Sequence, residues 1–577
     1  MTSGYADRIG MQNRLFSELS RMFGEEVPLY DKSLAVNALC NRAVCDVLAL
    51  KHSGFSVSDE QLEKTSSERH GAIRIGREDE YRWIGRFFAC FAMEPHNFYD
   101  MTSVGAKSQP VIATAFRSLV HPEHRVFSSL IRTDYFDAET KSRIERTLSR
   151  RQVFSDEAKA LIEKCETQGG LNAEDGNSLI REGVERIFKW TGEAGDFELY
   201  RHLCEAGFKI AADIACFQRH HLNHLTPNTF CMDLYTSAMK WRLGEMNESS
   251  FRRRATLALR HVREEGGLHF LRLHFKHLSR AEVEGYETRA VSDEAVDGLL
   301  DALLNGLSAA DLDLANLNHN GFKDSTEGPS WDTPVLLRQD AYKALTEPVR
   351  FTNEDGSVHE TVHTARFGEI EQRFYATTPK GRALYDDCLA SAMAAKADDP
   401  ELAKRDYDAY ERAYVAHFAP FPKQLDELVA RGLVYARFEA TAEGRARAGT
   451  LESTDLVTLA RERLVAFEGL RYEDFLPVSA AGIFASNLNQ YGTQTTAAEK
   501  PEYTRNMLES ILGKPIVNAD VVYRGLQAES ILQTYADLGL LDQLPAEHRS
   551  RLESDAGALP EGAASRFEER AVAAARA

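Results

Sequence analysis

Cysteine is scarce in this chain and never closely paired. The eight thiols, Cys40, Cys45, Cys90, Cys165, Cys204, Cys216, Cys231 and Cys388, form no Cys-x-x-Cys. That excludes a zinc ribbon and a thioredoxin-type redox motif, and the density is far below that of a disulfide scaffold. Reduced, mostly buried thiols are expected. No apolar run approaches the ~20 residues of a membrane span. The stretch from Met1 to Arg8 is polar with no apolar segment behind it, so no signal peptide is expected and the cytoplasm is the default compartment. Basic residues are outnumbered, 69 Lys and Arg against 88 Asp and Glu, for a net charge of −19. Nucleic acid and anionic membrane are therefore poor partners. An anionic small molecule is compatible with such a surface if arginines are placed locally to hold it. No tandem repeat of fixed period is present.

What is there is an ordinary soluble composition, 43% hydrophobic and 27% charged over 577 residues, long enough for a large core or several domains. Helical spacing runs from Tyr5 to about Lys51 and again from Glu78 to Ala92, with Trp83, Phe87, Phe88 and Phe91 as a core-facing stripe. Strand-like runs follow at Val111–Phe116 and Val126–Ile131. A polar helical stretch then covers roughly 138–190, and a helix over 196–206 leads into a strand region ending at Pro227. From about Thr229 to Leu314 the chain is helical and charge-rich, which suggests an insertion carried by a β core. Strand signals return at Val335–Gln339 and Ala365–Arg373, helices flank a linker at Ala394–Pro400, and the C-terminal third is mostly helical.

One stretch organises the rest: Ser67-Glu68-Arg69-His70-Gly71-Ala72-Ile73-Arg74-Ile75-Gly76. Its apolar residues alternate, which argues for a strand. His70, Ala72 and Arg74 then share one face, with His70 and Arg74 ~13 Å apart at Cα. A metal ligand and a guanidinium at that spacing can span a small dicarboxylic acid. The plain alternative is a surface histidine beside a salt-bridged arginine. Two further segments offer ligands: one of His220, His221 and His224, and Glu369 or Glu371. Two histidines and one carboxylate make the facial triad of non-haem iron(II) sites, with room left for a chelating substrate and dioxygen. Alternation alone does not choose between the two glutamates, and a cation such as Arg373 is expected beside them. A helix-borne zinc pair, His220-x-x-x-His224, is disfavoured because no Glu follows His220 and Pro227 interrupts the helix.

Together these segments resemble one family, the 2-oxoadipate dioxygenase/decarboxylases (hydroxyglutarate synthases). The stretches that carry the resemblance are Arg69–Arg74, Asn223–Pro227, Leu336–Gln339, His363–Arg373, Thr378–Asp386 and Tyr472–Phe484, in order through most of the chain. The chain departs from the family pattern at Asn228, where Arg is expected, and at Phe374-Tyr375, where Gly is expected after the Arg. The helical block before Val335 and the C-terminal tail also look longer than the family's norm.

The resemblance implies an α+β fold of the vicinal-oxygen-chelate kind, with paired βαβββ modules forming an open barrel around one metal and large helical insertions. It implies a division into 1–228 (N-terminal helices and first β module), 229–334 (helical insertion), 335–490 (second β module) and 491–577 (C-terminal helices and tail). It implies that His70, His224 and Glu369 bind Fe(2+) and contact substrate. It also implies that Arg74 holds the distal carboxylate, and that Val478, through its backbone, and Ser479 line the pocket. The implied partners are a small 2-oxo dicarboxylic acid and O2, and the implied reaction turns 2-oxoadipate into 2-hydroxyglutarate and CO2, as in lysine catabolism. The competing readings are a metal-dependent isomerase or lyase on a 2-oxo acid, and a non-catalytic scaffold stapled by a metal.

Overall fold

The computed structural model describes residues 4–104, 108–118, 124–476, 494–499 and 501–560. The strands run in order as β1 (His52–Ser53), β2 (Glu68–Ile75), β3 (Met93–Asp100), β4 (Val111–Ser118), β5 (Arg125–Ile131), β6 (Glu193–Ala194), β7 (His224–Pro227), β8 (Glu287–Thr288), β9 (Leu337–Ala341), β10 (Thr346–Thr352), β11 (Val358–Thr364), β12 (Glu369–Arg373), β13 (Ala436–Ala440) and β14 (Val465–Gly469). The alternating stretch around His70 is the strand β2, as its pattern requires.

With the helix Glu78–Ala89 between β2 and β3, residues 68–131 form a strand, a helix and three strands. These build a five-stranded sheet in the order β3-β4-β5-β2-β7, with β2 and β5 parallel and the other neighbours antiparallel. The helix buries Tyr81, Ile84, Phe87 and Phe88. The Tyr81 hydroxyl donates to Ser128 O at 2.7 Å, and the Phe88 ring stacks on Phe116 at 5.0 Å, which clamps the helix to the sheet. Burying such an aromatic stripe is the dominant favourable term for the unit, of the order of 2 kcal/mol per side chain.

The free edge of β7 meets a second pair of strands. Phe367 N–H donates to Asn223 O at 3.0 Å and Thr229 N–H donates to Glu371 O at 2.9 Å, so β12 runs parallel to β7. β12 pairs antiparallel with β9, and the segment 322–327 lies antiparallel along the far side of β9. β7, β12, β9 and 322–327 therefore repeat the neighbour relations of β2, β5, β4 and β3. Among the described residues the strands form several small sheets and no closed barrel, in an α+β whole. The remaining sheets are β11-β10-β6, β13-β14 and β1-β8.

The helices Met232–Arg242, Glu248–Glu265 and Asp293–Leu307 pack on the helix Pro28–Lys51. Against the sequence expectation that no apolar run approaches a membrane span, that helix has 24 residues and a mean hydropathy of 1.3 in its most apolar window, enough by length and composition to cross a bilayer, and 56% of that window is buried inside the fold, as in a core helix. Two of its polar residues explain its position. Asn37 and Asn41 donate to Asn228 O at 3.0 and 3.1 Å, and Asn41 accepts from Phe230 N at 2.8 Å, which anchors the chain leaving β7.

Several elements differ from the sequence expectation. The region 207–223 holds the helix Lys209–Cys216, and only His224–Pro227 is a strand. The Ala394–Pro400 linker is largely helical, because the helix Pro379–Asp398 runs through it. β3, the β10–β11 hairpin and the β13–β14 pair lie outside the strands expected from sequence: β3 and β14 do not alternate, and the alternation of β10 and β13 spans too few apolar residues to stand out.

Candidate metal centre

His70 projects from β2, His224 from β7 and Glu369 from β12, and each offers a ligand atom within 4.8 Å of the other two. All three are at most 4% exposed. Nε2 of His70 and Nε2 of His224 lie 3.1 and 3.4 Å from Oε2 of Glu369. Thr226 joins them: its hydroxyl is 2.9 Å from His70 Nε2 and 3.1 Å from Glu369 Oε2. The convergence follows from register. Ala72 opposes His224 and His70 opposes Thr226 across β2 and β7, so the small Ala72 leaves room where the imidazole points.

Glu371 has a different place. It shares the β12 face with Glu369, two residues on, but its Oε2 accepts from His70 Nδ1 at 2.8 Å. Arg373 clamps Glu371 by two contacts, Nε to Oε1 at 2.7 Å and Nη2 to Oε2 at 2.9 Å, and Arg125 Nη1 lies 3.7 Å from Oε1. With Nδ1–H given to Glu371, the Nε2 lone pair of His70 is turned toward Glu369 and His224. A carboxylate behind a ligating histidine is the usual support of a metal site. The glutamate ambiguity thus resolves to Glu369 beside the histidines and Glu371 behind one of them.

Electrostatics agree. Burial alone would raise the Glu369 carboxyl, but His224 and His70 facing it outweigh that and hold it below its usual value. Burial of Glu371 is likewise overcome, by Arg373 first and then His70 and Arg125, leaving it well below the usual range. Burial pushes His224 down to about 4, so it stands as a neutral imidazole with a lone pair to offer. The set is two imidazoles and one carboxylate in a dry site, and it fits a divalent cation of mixed nitrogen and oxygen preference.

The other two histidines of the group go elsewhere. His220 Nε2 is 3.3 Å from Glu80 Oε2, and His221 Nε2 is 3.2 Å from Asp213 Oδ1. His224 lies in a strand, so the helical zinc pair is not formed. Arg74 is buried and ion-paired, Nη1 to Asp213 Oδ2 at 2.8 Å, so it is no surface arginine. Val478 and Ser479 lie outside the described residues. The chain that leads to them is well placed: the Phe475 ring meets the His70 ring edge-on at 4.9 Å, and Arg373 Nη1 donates to Asp474 O at 2.7 Å. At one of the two departures from the family pattern, the Asn228 side chain accepts from Arg471 Nη2 at 3.3 Å and donates to Thr65 O at 3.0 Å.

Sequence reasoning missed Thr226, Lys323, Asp213 and His363. Thr226 sits inside a quoted stretch and could have been noticed two residues from His224. Lys323 falls within 229–334, where the sequence predicts a helical insertion, yet it lies in the segment paired along β9. It is buried, its N–H donates to Ala341 O at 3.1 Å, and its charge helps keep Glu369 ionised. His363 opens the stretch His363–Arg373 that carries the resemblance, but nothing there marks it as a partner of Asp213, which carries no local signal.

Fold and site together define a class: an α+β protein whose buried candidate metal centre takes two imidazoles and one carboxylate from three separate strands. The family model of the 2-oxoadipate dioxygenase/decarboxylases matches residues 15–260 and 300–487. A Pseudomonas putida protein of that name is 33% identical over 527 residues, covering 89% of this chain and 93% of its own. An Escherichia coli protein of that name is 31% identical over 534 residues, 91% and 97% of the two chains. The structure is similar to that of the Pseudomonas putida hydroxyglutarate synthase in complex with 2-oxoadipate, with a TM-score of 0.64 and 29% identity over 93% of this chain and 100% of that one. The chain belongs to the 2-oxoadipate dioxygenase/decarboxylase family, a family of enzymes.

Proposed function

We propose that this chain is an iron(II)-dependent dioxygenase that converts 2-oxoadipate and O2 to 2-hydroxyglutarate and CO2. Both oxygen atoms enter the products, one carbon leaves as CO2, and the five-carbon hydroxy acid carries the balance. The observation that carries the reading is the meeting of His70, His224 and Glu369 at one buried point in a chain of this family. The repeated strand relations of β2-β5-β4-β3 and β7-β12-β9-(322–327) support two vicinal-oxygen-chelate modules around that point, the first over 68–131 and the second opening at β7 and closing at β12, so that 322–327 belongs to the second module and not to the helical insertion.

Bound at His70, His224 and Glu369, iron(II) supplies Lewis acidity toward a chelating 2-oxo acid and a one-electron partner for dioxygen. Glu371 holds the His70 ring in the ligating tautomer. Arg74 offers a planar fork to the distal carboxylate, the geometry that pairs bidentately. Val478 and Ser479 border the substrate, in line with Phe475 packing on His70 three residues before Val478. Such fixed positioning replaces the entropy cost of aligning substrate in solution.

Iron(II)-loaded protein supplied with 2-oxoadipate should release one CO2 per O2 consumed and form no product without oxygen. Product formed under strictly anaerobic conditions would favour the isomerase or lyase reading instead.

A further inference from the structure

Arg74 does not stand by itself on its strand. Asp213, on the helix Lys209–Cys216, meets its Nη1 through Oδ2 at 2.8 Å. The other Asp213 oxygen accepts from His363 Nε2 at 3.0 Å, and His221 Nε2 lies 3.2 Å from the same oxygen. His363, near the end of β11, is fixed in turn: its Nδ1 is 2.9 Å from the Tyr200 hydroxyl. One assignment of protons satisfies the whole line, with Tyr200 O–H donating to Nδ1, Nε2–H donating to Asp213, and Asp213 accepting from Arg74. Asp213, His363, His221 and Arg74 are each at most 4% exposed, and the rings of Trp190 and Phe217 wall the line in.

Four separate pieces of chain therefore converge behind one guanidinium: β2, the helix Lys209–Cys216, the β11 end and the helix Phe197–Glu205. None of them carries a candidate metal ligand except β2. The device has no evident role at the metal, and its effect falls on where Arg74 points. An arginine free to rotate loses rotamer entropy on gripping a ligand. Fixing it beforehand removes that cost from binding.

We infer that Asp213 is the positioning residue for Arg74, and that the Asp213–His363–Tyr200 line sets the preference of this site for dicarboxylic over monocarboxylic 2-oxo acids. The inference rests on the reading that Arg74 receives the distal carboxylate. Asp213 touches no substrate. It orients the group that does, and the burial of both makes the orientation rigid. His363 and Tyr200 extend that hold to the β10–β11 hairpin.

The test compares oxygen uptake by the iron(II)-loaded full chain on 2-oxoadipate and on 2-oxohexanoate, which has the same length and no distal carboxylate. Asp213→Asn should raise KM for 2-oxoadipate about ten- to a hundredfold, the worth of one charged hydrogen bond. Its kcat at saturation and its iron content should stay near those of the parent, and its KM for 2-oxohexanoate should hardly move. Tyr200→Phe, at a half-buried position that tolerates the change, should give the same split at about threefold and decides the matter if Asp213→Asn does not fold. Arg74→Lys, which keeps the charge beside Asp213 but loses the fork, is the control for the underlying reading. If Arg74→Lys collapses the selectivity while Asp213→Asn and Tyr200→Phe leave it intact, the positioning role is wrong and the reading of Arg74 stands. If Arg74→Lys itself keeps full selectivity, the reading of Arg74 fails and the inference with it. Parallel loss of kcat on both acids in a folded Asp213→Asn would also overturn it, since that is the mark of a merely structural residue.

Discussion

Nδ1 of His70 and Oε2 of Glu371 are 2.8 Å apart, and both side chains are sealed from solvent. That contact separates two glutamates that are equivalent by pattern. Glu369 faces the imidazoles of His70 and His224, and Glu371 stands behind His70 with Arg373 and Arg125 on its far side.

The two positions should therefore respond differently to the same change. Glu369→Gln removes the anionic ligand and should abolish retained iron. Glu371→Gln should weaken iron binding ~10- to 100-fold through loss of orientation while leaving the three ligands in place. It should also destabilise the fold by ~3 kcal/mol, because the buried Arg373 guanidinium loses its counter-charge, while Arg125 keeps Glu473 at 2.9 Å. Metal content after dialysis and thermal unfolding of both variants check this. Equal iron loss in the two would contradict the assignment.

Arg74→Ala should lower kcat/KM for 2-oxoadipate at least ~100-fold, the cost of truncating one partner of a buried charge pair. Iron content should stay near normal, since Arg74 contacts Asp213 and is not among the three candidate ligands. Some stability should be lost as Asp213 loses its guanidinium partner and keeps only His363 and His221. Iron analysis beside steady-state kinetics separates the two roles, and loss of iron would contradict them.

Acid should unfold this protein from pH 6.5 downward. Burial, with help from Arg117, depresses His96 to about 3 from its usual 6.5. The unfolded chain therefore takes up this proton first, and stability present above pH 6.5 is lost as pH falls toward 3. Glu473 adds to the lower end: burial is outweighed by Lys276, Arg471, Arg125 and Arg373, its carboxyl drops to about 2, and its contribution is lost below pH 4.5. Each group contributes at most ~1.4 kcal/mol per pH unit inside its window. His96→Gln should flatten the dependence of the urea midpoint between pH 6.5 and 4, and an unchanged slope would exclude His96 as a source.

Gly381 should not tolerate a side chain. It lies in the first turn of the helix Pro379–Asp398, capped by Thr378, whose hydroxyl accepts from Gly381 N at 3.2 Å. A Cβ there would sit 1.9 Å from Leu433 O, a backbone atom that cannot swing aside. Gly381→Ala should lower stability by ~1–3 kcal/mol by overpacking, read from its denaturant midpoint. A neutral effect would mean that the helix and the 433 strand entry can separate.

How much of this was legible beforehand follows period and range. β2, β4 and β5 alternate or run apolar over enough residues to be seen, and the helix Glu78–Ala89 shows its stripe. β13 and β14 are short strands within a polar helical context, and β3 carries Pro95 and a left-handed Asn97, so neither pattern stands out. The candidate ligands His70 and His224 are 154 residues apart and meet only because β2 and β7 pair. Nothing local marks that, and the histidine group and the two glutamates left choices that neighbouring strands decide. Asp213 was unreadable for the same reason: although His221 is near in sequence, Arg74 and His363 are 139 and 150 residues away in the chain.

The most direct test of the central claim is oxygen uptake by iron(II)-loaded protein with 2-oxoadipate, run beside His224→Ala. Uptake is expected in the parent, with CO2 and 2-hydroxyglutarate formed, and none in the variant, which should also fail to retain iron. No uptake from parent protein with verified iron would contradict the proposed reaction, and full uptake by His224→Ala would contradict the metal centre.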